Sequence, residues 1–229
     1  MQRIRVTVLI LTGLFFFSAF TAFAENTEMT TPTTIVLPVP DLAQDSPLER
    51  TISERRSVRR FSADSIVLSA VSQLLWSAQG ITDSVEQFRA APSAGALYPL
   101  EVYVLASRVT GLSPGLYKYH PEKHTLDLVS SENLQPPLTN AALRQASIEQ
   151  AGAVFIITAV YSRTAVKYGD RAERYVHMEV GHAAQNVCLQ ATALDLGIVT
   201  VGAFRDDRVK SVLDLPDNEA PLYLLPVGR

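Results

Sequence analysis

Two stretches of this 229-residue chain hold side chains whose types and spacing suit chemistry. Residues 54–61 read ERRSVRRF, so Arg55, Arg56, Arg59 and Arg60 place four guanidinium groups within six positions around Ser57. Arginine stays charged at every relevant pH, and its planar fork matches two phosphate oxygens at once. The loop is expected just upstream of a helix N-terminus, where free N–H groups also favour an anion. The same residues also read as a solvated basic turn paired with Glu54 and Asp64. The second stretch is Lys167-Tyr168, neighbouring proton donors or acceptors. An ammonium beside a phenol favours the phenolate, which suits general acid–base work. The bland alternative is a surface loop with an ordinary packed tyrosine.

A third stretch, APSAGALYPLEVYVLA (91–106), lacks bulk at Ala91, Ser93, Ala94, Gly95 and Ala96, and a strand follows it. Such a loop lets a flat ring or a phosphate approach backbone N–H groups; it also reads as a tight turn entering a strand. HMEVGH tempts a metal reading, but His177 and His182 lie about 140° apart around a helix and share no face. No metal site is expected, and Glu179 and His182 read as packed, hydrogen-bonded side chains. Cys188, the single cysteine, falls mid-helix among apolar residues and reads as inert core. The chain has no Walker loop, G-x-G-x-x-G or G-x-S-x-G elbow.

The elements that must position these groups follow from hydrophobic periodicity. A helix is expected from Ser62, as its cap, to Gly80. Strands are expected at 100–106, in a hairpin around 121–123, at 153–161 as a buried central strand, and at the C-terminal PLYLLPV. Short helices are expected over 137–146 and within DDRVKSVLDL, and a long one over 170–196, stopped by Gly197. Elements intermixed this way predict an α+β domain: a mixed, mainly antiparallel sheet flanked by helices. The long helix carries an apolar stripe (Val176, Val180, Ala184, Val187, Ala191), and small residues such as Gly181 and Ala183 line its other faces. It is expected to be buried at the centre of a homodimer.

Composition and the N-terminus bound the setting. Residues 1–24 show a basic start, an apolar run and Ala22-Phe23-Ala24, the pattern of a cleaved secretory signal peptide. A periplasmic or secreted protein, free of the membrane after cleavage, is expected. The formal charge of −3 becomes −5 without Arg3 and Arg5, which argues against a nucleic-acid binder. Residues 25–50 are polar and Pro-rich and read as an extended linker or arm; residues 51–229 read as one domain. One cysteine permits no intramolecular disulfide, so stability must come from the core or from a partner subunit.

Taken in order, RRSVRRF, PSAGALYPLEVYVL, KYGDRAERYVHMEVGHAAQNVCLQATALDLG and LLPVGR resemble the nitroreductase-like flavoproteins, and within them the SagB-type (thiazole/oxazole oxidase-like) branch. The resemblance implies a homodimer holding FMN at its interface. Arg55, Arg56, Ser57 and Arg59 would hold the FMN phosphate, ribityl chain and ring oxygens. Pro92, Ser93, Ala94, Gly95 and Leu97 would cover the ring from the other subunit. Val201, Gly202 and Ala203 would approach the flavin N5 side, and Arg229 would meet the phosphate. Lys167 and Tyr168 fall where azoline oxidases of this branch place their catalytic acid–base pair. The common family pattern has Asn where this chain has Ala96, so that side-chain contact is missing. Because nicotinamide cofactors are largely cytoplasmic, the expected export, together with the Lys167–Tyr168 pair, points to hydride transfer between a small organic substrate and FMN, with oxygen, a quinone or a redox partner taking the electrons. Two alternatives stay open: an NAD(P)H-dependent nitroreductase or flavin-modifying enzyme, and a non-catalytic flavin- or anion-binding partner protein.

Overall fold

The computed structural model describes residues 33–43 and 46–229; the expected signal peptide lies outside them. Strands are β1 Thr34–Val36, β2 Ile66–Val67, β3 Leu100–Ala106, β4 Val109–Thr110, β5 Gly115–His120, β6 Thr125–Ser130, β7 Ala153–Ala159, β8 Gly197–Ile198 and β9 Ala220–Gly228. Helices are α1 Leu48–Glu54, α2 Leu68–Gln79, α3 Gln135–Ala141, α4 Ala146–Glu149, α5 Tyr161–Tyr168, α6 Ala172–Ala193 and α7 Asp206–Val212. Seven strands form one sheet in the order β1-β6-β5-β3-β7-β9-β8. Every pair in it is antiparallel. Among the described residues, parallel pairing is confined to β2 with β4 and to a single bridge, Ser57 to Ile198.

Both sheet faces are covered, and β7 shows why its sequence is apolar throughout. Phe155 and Ile157 point into a core shared with α2 and α6, while Val154 and Ile156 enter a second core with α3, α4 and α7. A strand buried on both sides loses the polar–apolar alternation of a one-sided strand. Phe155, paired with Val104 of β3, is fully buried. Phe155→Ala should lower stability by about 4 kcal/mol in urea unfolding, from lost transfer energy and an unfilled cavity.

The structure revises several expectations. Ser62 does not cap α2: its N–H donates to the Arg229 carbonyl and its hydroxyl donates to Asp64. The β-branched Ile66 and Val67 pair with β4 instead, so α2 starts only at Leu68. The helix expected at 137–146 is two, α3 and α4, separated by left-handed Leu143 and Arg144. The extended arm forms edge strand β1, with Leu37 buried in the core. Pro38 O accepts from Ser72 Oγ, and His124 Nε2 lies 3.1 Å from the same carbonyl. Burial holds the His124 imidazole below its ordinary pKa, against the pull of that carbonyl. Helix α1 follows Pro47, whose fixed φ and missing N–H suit a helix start.

Helix α6 ends earlier than expected. Asp195 takes the left-handed conformation that closes it, and Leu196 N–H donates back to Ala191 O. Gly197 serves close packing: a Cβ there would meet Val58 Cγ1 at 2.8 Å. Only one face of α6 is buried within the chain; Arg174, Met178, Gly181 and Gln185 line an exposed opposite face.

Candidate functional site

The arginine loop leaves the C-terminal end of α1, and α2 begins only at Leu68. The expected helix N-terminus therefore does not meet the loop. A helix C-terminus carries partial negative charge, which favours arginines but no anion, so anion capture falls to side chains alone. Arg55 closes α1 through its N–H to Thr51 O, and Val58 N–H donates to Ile198 O of β8. The loop is thereby tied to the sheet edge. Arg56 Nη1 donates to Ser53 O and Arg55 O, and Arg59 Nη1 lies 3.5 Å from Ser57 O. Glu54 is taken by Arg50, at 3.0 Å, and Asp64 by Ser62. Among the described residues, Arg55, Arg56, Arg59 and Arg60 form no salt bridge. Arg56, Ser57, Arg59 and Arg60 are exposed and Arg55 is half-buried. Unneutralised guanidinium groups beside a hydroxyl are a donor set that fits a phosphate ester.

Residues 201–203 lie along the same sheet edge. Val201 exchanges backbone hydrogen bonds with Leu224 of β9, so its N–H is already used. Gly202 and Ala203 are exposed, and Ala203 O accepts from Gln145 Nε2. Arg229 O accepts from Ser62 N–H, and Arg229 lines a cleft with Asp41, Gln73 and Leu196 on the arm side. Cys188 of α6 feels the Arg55 charge, yet burial pushes its thiol up to about 11. It is an inert core residue at neutral pH.

The second group of residues surrounds the turn at 92–98. Gly95, Ala96 and Tyr98 all have positive φ, at 64°, 53° and 45°. Two non-glycine residues in this region store strain that the surroundings must hold. The side chains of Ser93, Arg163 and Arg89 do so. Ser93 Oγ accepts from Tyr98 N–H at 2.9 Å and donates to Glu179 Oε2 at 2.6 Å. Arg163 Nη1 donates to Tyr98 O at 3.0 Å, and its other nitrogen pairs with Glu101. The Arg89 guanidinium stacks over the Tyr98 ring, 4.5 Å from its centroid. Pro92, Gly95 and Ala96 remain exposed, and Ser93, Ala94 and Leu97 half-buried.

Lys167 and Tyr168 form the last turn of α5, not a loop ahead of a helix. Helix α5 buries only Thr164, so its sequence carries no apolar stripe to announce it. Both side chains converge on the turn. A Cβ on Gly95 would lie 2.9 Å from Tyr168 Oη and 3.1 Å from Lys167 Nζ. The φ of 64° favours glycine there, and any side chain would displace the ends of Tyr168 and Lys167. Tyr168 also packs edge-on against Tyr175, with centroids 5.0 Å apart.

Glu179 stands behind the turn, 2 % exposed. Burial raises its carboxyl to about 7, against the pull of the Ser93 hydroxyl, the Arg89 guanidinium and the Ala94 N–H. His182 is exposed, contrary to expectation, and His177 instead meets Tyr161 Oη at 2.7 Å. Arg89 was not legible as a site residue. It is a lone arginine whose partners, Gln79, Glu122 and Tyr98, come from three separate segments.

Within one chain the two groups stay apart. Arg55 acts near Cys188, and Glu179 lies nine residues earlier on α6. At 1.5 Å per residue this is about 13 Å along the helix axis.

Comparison with known proteins agrees with this architecture. The Nitroreductase family profile matches residues 52–229. MJ1384, a nitroreductase-type protein of Methanocaldococcus jannaschii, is 46 % identical over 196 residues, covering 86 % of this chain and 97 % of its own. The trifolitoxin-processing protein TfxB of Rhizobium leguminosarum bv. trifolii is 29 % identical over 71 % of this chain and 47 % of its own length. A nitroreductase-type crystal structure from Anabaena variabilis superposes with a TM-score of 0.76 at 30 % identity, over 86 % of this chain and 42 % of that one. With an antiparallel sheet, flanking helices and a matched span that takes in both groups of residues, this chain belongs to the nitroreductase family of oxidoreductases, with relatives in its SagB-type branch.

Proposed function

We propose that the protein is an exported, FMN-dependent oxidoreductase of the SagB-type dehydrogenase kind, active as a homodimer. The observation that carries this reading is the division of the site. Arginines without a salt bridge lie toward one end of α6 and the Lys167–Tyr168 turn toward the other, with an exposed helix face between them. A second copy packing its α6 antiparallel on that face brings each arginine loop to the other chain's turn. A two-fold axis does this twice with one interface.

Bound FMN supplies a two-electron acceptor for a substrate hydride. The chain's own residues do the rest. Arg55, Arg56, Ser57 and Arg59 hold the phosphate and polar edge. Gly202 and Ala203 would offer exposed backbone to the ring, and Arg229 would meet the phosphate. The partner's residues 92–97 exclude water from the ring face. The Lys167–Tyr168 pair acts together as the general base that takes the substrate proton as the hydride departs. Export favours this direction, because nicotinamide donors are largely cytoplasmic; electrons then leave to oxygen, a quinone or a redox partner. The processing relative TfxB, a protein of the same branch, supports it further.

Purified residues 25–229 should be yellow, with about one FMN per chain. Arg55→Ala combined with Arg59→Ala should weaken FMN affinity at least tenfold by removing two charge-assisted phosphate bonds. Lys167→Ala should leave flavin content intact. Rapid turnover of NADPH by the wild type, undiminished in Lys167→Ala, would overturn the dehydrogenase reading. A colourless protein that cannot be reconstituted would overturn FMN dependence itself.

A further inference from the structure

We infer that Glu179 is a positioning residue, which through Ser93 holds the strained turn at 92–98 closed and so seats Lys167 and Tyr168. The role given to Lys167 and Tyr168 rests on the function proposed above; the control of the turn does not.

An unbroken relay links the carboxylate to the turn. Tyr98 N–H donates to Ser93 Oγ at 2.9 Å, and the Ser93 hydroxyl donates to Glu179 Oε2 at 2.6 Å. A hydroxyl that donates to a carboxylate is a better acceptor at its own oxygen, so the two bonds strengthen each other. Between Ser93 and Tyr98 the chain passes through left-handed Gly95 and Ala96. The relay spans that strained segment and closes it. At the tip, Lys167 Nζ and Tyr168 Oη occupy the space that a side chain on Gly95 would take. The position of the turn therefore sets the space in which both polar atoms lie.

Space filling alone does not explain Glu179. Its Oε1 is fully buried and accepts no hydrogen bond of ordinary geometry. A methionine or leucine would fill the volume without that cost. Glu179 Oε2 accepts the Ser93 hydroxyl at 2.6 Å. The groups that face it are the Ser93 hydroxyl and Ala94 N–H from the turn, and the Arg89 guanidinium from the segment ahead of it. On its own helix Tyr175 and His182 lie one turn away on either side. Protonation converts the bond from Ser93 into an ordinary neutral one, and the turn is held less tightly.

The test uses the purified protein, as isolated, labelled with 15N-glycine and 15N-tyrosine, with amide spectra and hydrogen exchange recorded from pH 5 to 9. In the wild type the Gly95 and Tyr98 amide signals should titrate together, with a midpoint near neutrality. In Glu179→Gln both should stay at their low-pH positions, with Tyr98 amide exchange, compared at pH 8, at least tenfold faster than in the wild type. Ser93→Ala should uncouple the two amides from the titration while Glu179 itself remains. If neither amide titrates in the wild type, or both titrate unchanged in Glu179→Gln, the proposal fails. This measurement needs no substrate and no flavin turnover. It stands even if Lys167→Ala shows the pair to be idle, and it can fail while the flavin content is as expected.

Discussion

In the proposed FMN-binding homodimer, Gly181→Arg should leave a monomer in gel filtration and lower bound flavin at least tenfold, with the circular dichroism spectrum unchanged. Gly181 sits near the middle of α6, on the exposed face, and a Cβ there meets nothing within 4 Å in its own chain. A side chain at this site therefore disturbs no intrachain packing, and losing a mid-helix glycine favours the helix by up to about 1 kcal/mol. The monomer should fold at least as well as before. A paired helix about 8–10 Å away leaves no room for two arginines facing each other across a two-fold axis, and their like charges repel. The variant thus separates folding from pairing. Loss of flavin together with dimerisation would show that the two site groups meet only between chains. A Gly181→Arg dimer with full flavin content would remove the paired-helix arrangement.

Glu179→Gln should make the protein more stable than the wild type at pH 8 by about 3 kcal/mol, with the difference vanishing near pH 4.5. The folded carboxyl sits at about 7, raised from the ordinary 4.5 mainly by burial. Between those values the folded state holds a proton that the unfolded chain has released. The stability this proton provides is complete below pH 4.5 and is lost as pH rises through 7. A tenfold difference in proton affinity between the two states is worth about 1.4 kcal/mol, and the interval between the two values sets the total. Glutamine keeps the volume and an acceptor for Ser93 but has nothing to ionise. Urea unfolding of both proteins at pH 4.5, 6 and 8 measures the difference directly. A gap that stays constant across this range would show that Glu179 is not held near neutrality. Retaining a carboxylate that destabilises the fold at working pH is the pattern expected of a functional position.

The two experiments address different parts of the site, about 3 Å apart along α6 but on opposite faces of it. One face of the helix packs on the sheet and carries Glu179 toward the turn. The other presents Gly181 outward. A single helix can serve both because residues two positions apart diverge by about 200° around its axis.

Much of this was legible in the chain alone. The all-apolar 153–159 run announced a strand covered on both faces. The hairpin at 115–130, the strand at 100–106 and the long helix followed from local periodicity, which depends on near neighbours in sequence. The same holds for the chemistry-bearing types: guanidinium groups clustered at 55–60, small residues at 93–96, and Lys167 beside Tyr168. Their kinds and spacing carried the family resemblance.

What only the tertiary structure decided are the features set by contacts between distant segments. Ile66 and Val67 became a strand because β4 offers them a partner. Gly197 was spent on the approach of Val58 and Phe61, leaving Asp195 to close α6. Helix α5 shows no stripe because it buries almost nothing, so Lys167 and Tyr168 looked like loop residues. The relay from Tyr98 through Ser93 to Glu179 joins positions 81 residues apart, and no local pattern encodes it. The sequence by itself determined which groups are available for chemistry, since that is a matter of composition and spacing. Which of them meet, and across which face of α6 the others remain apart, depends on how the buried faces of the helices pack onto the sheet.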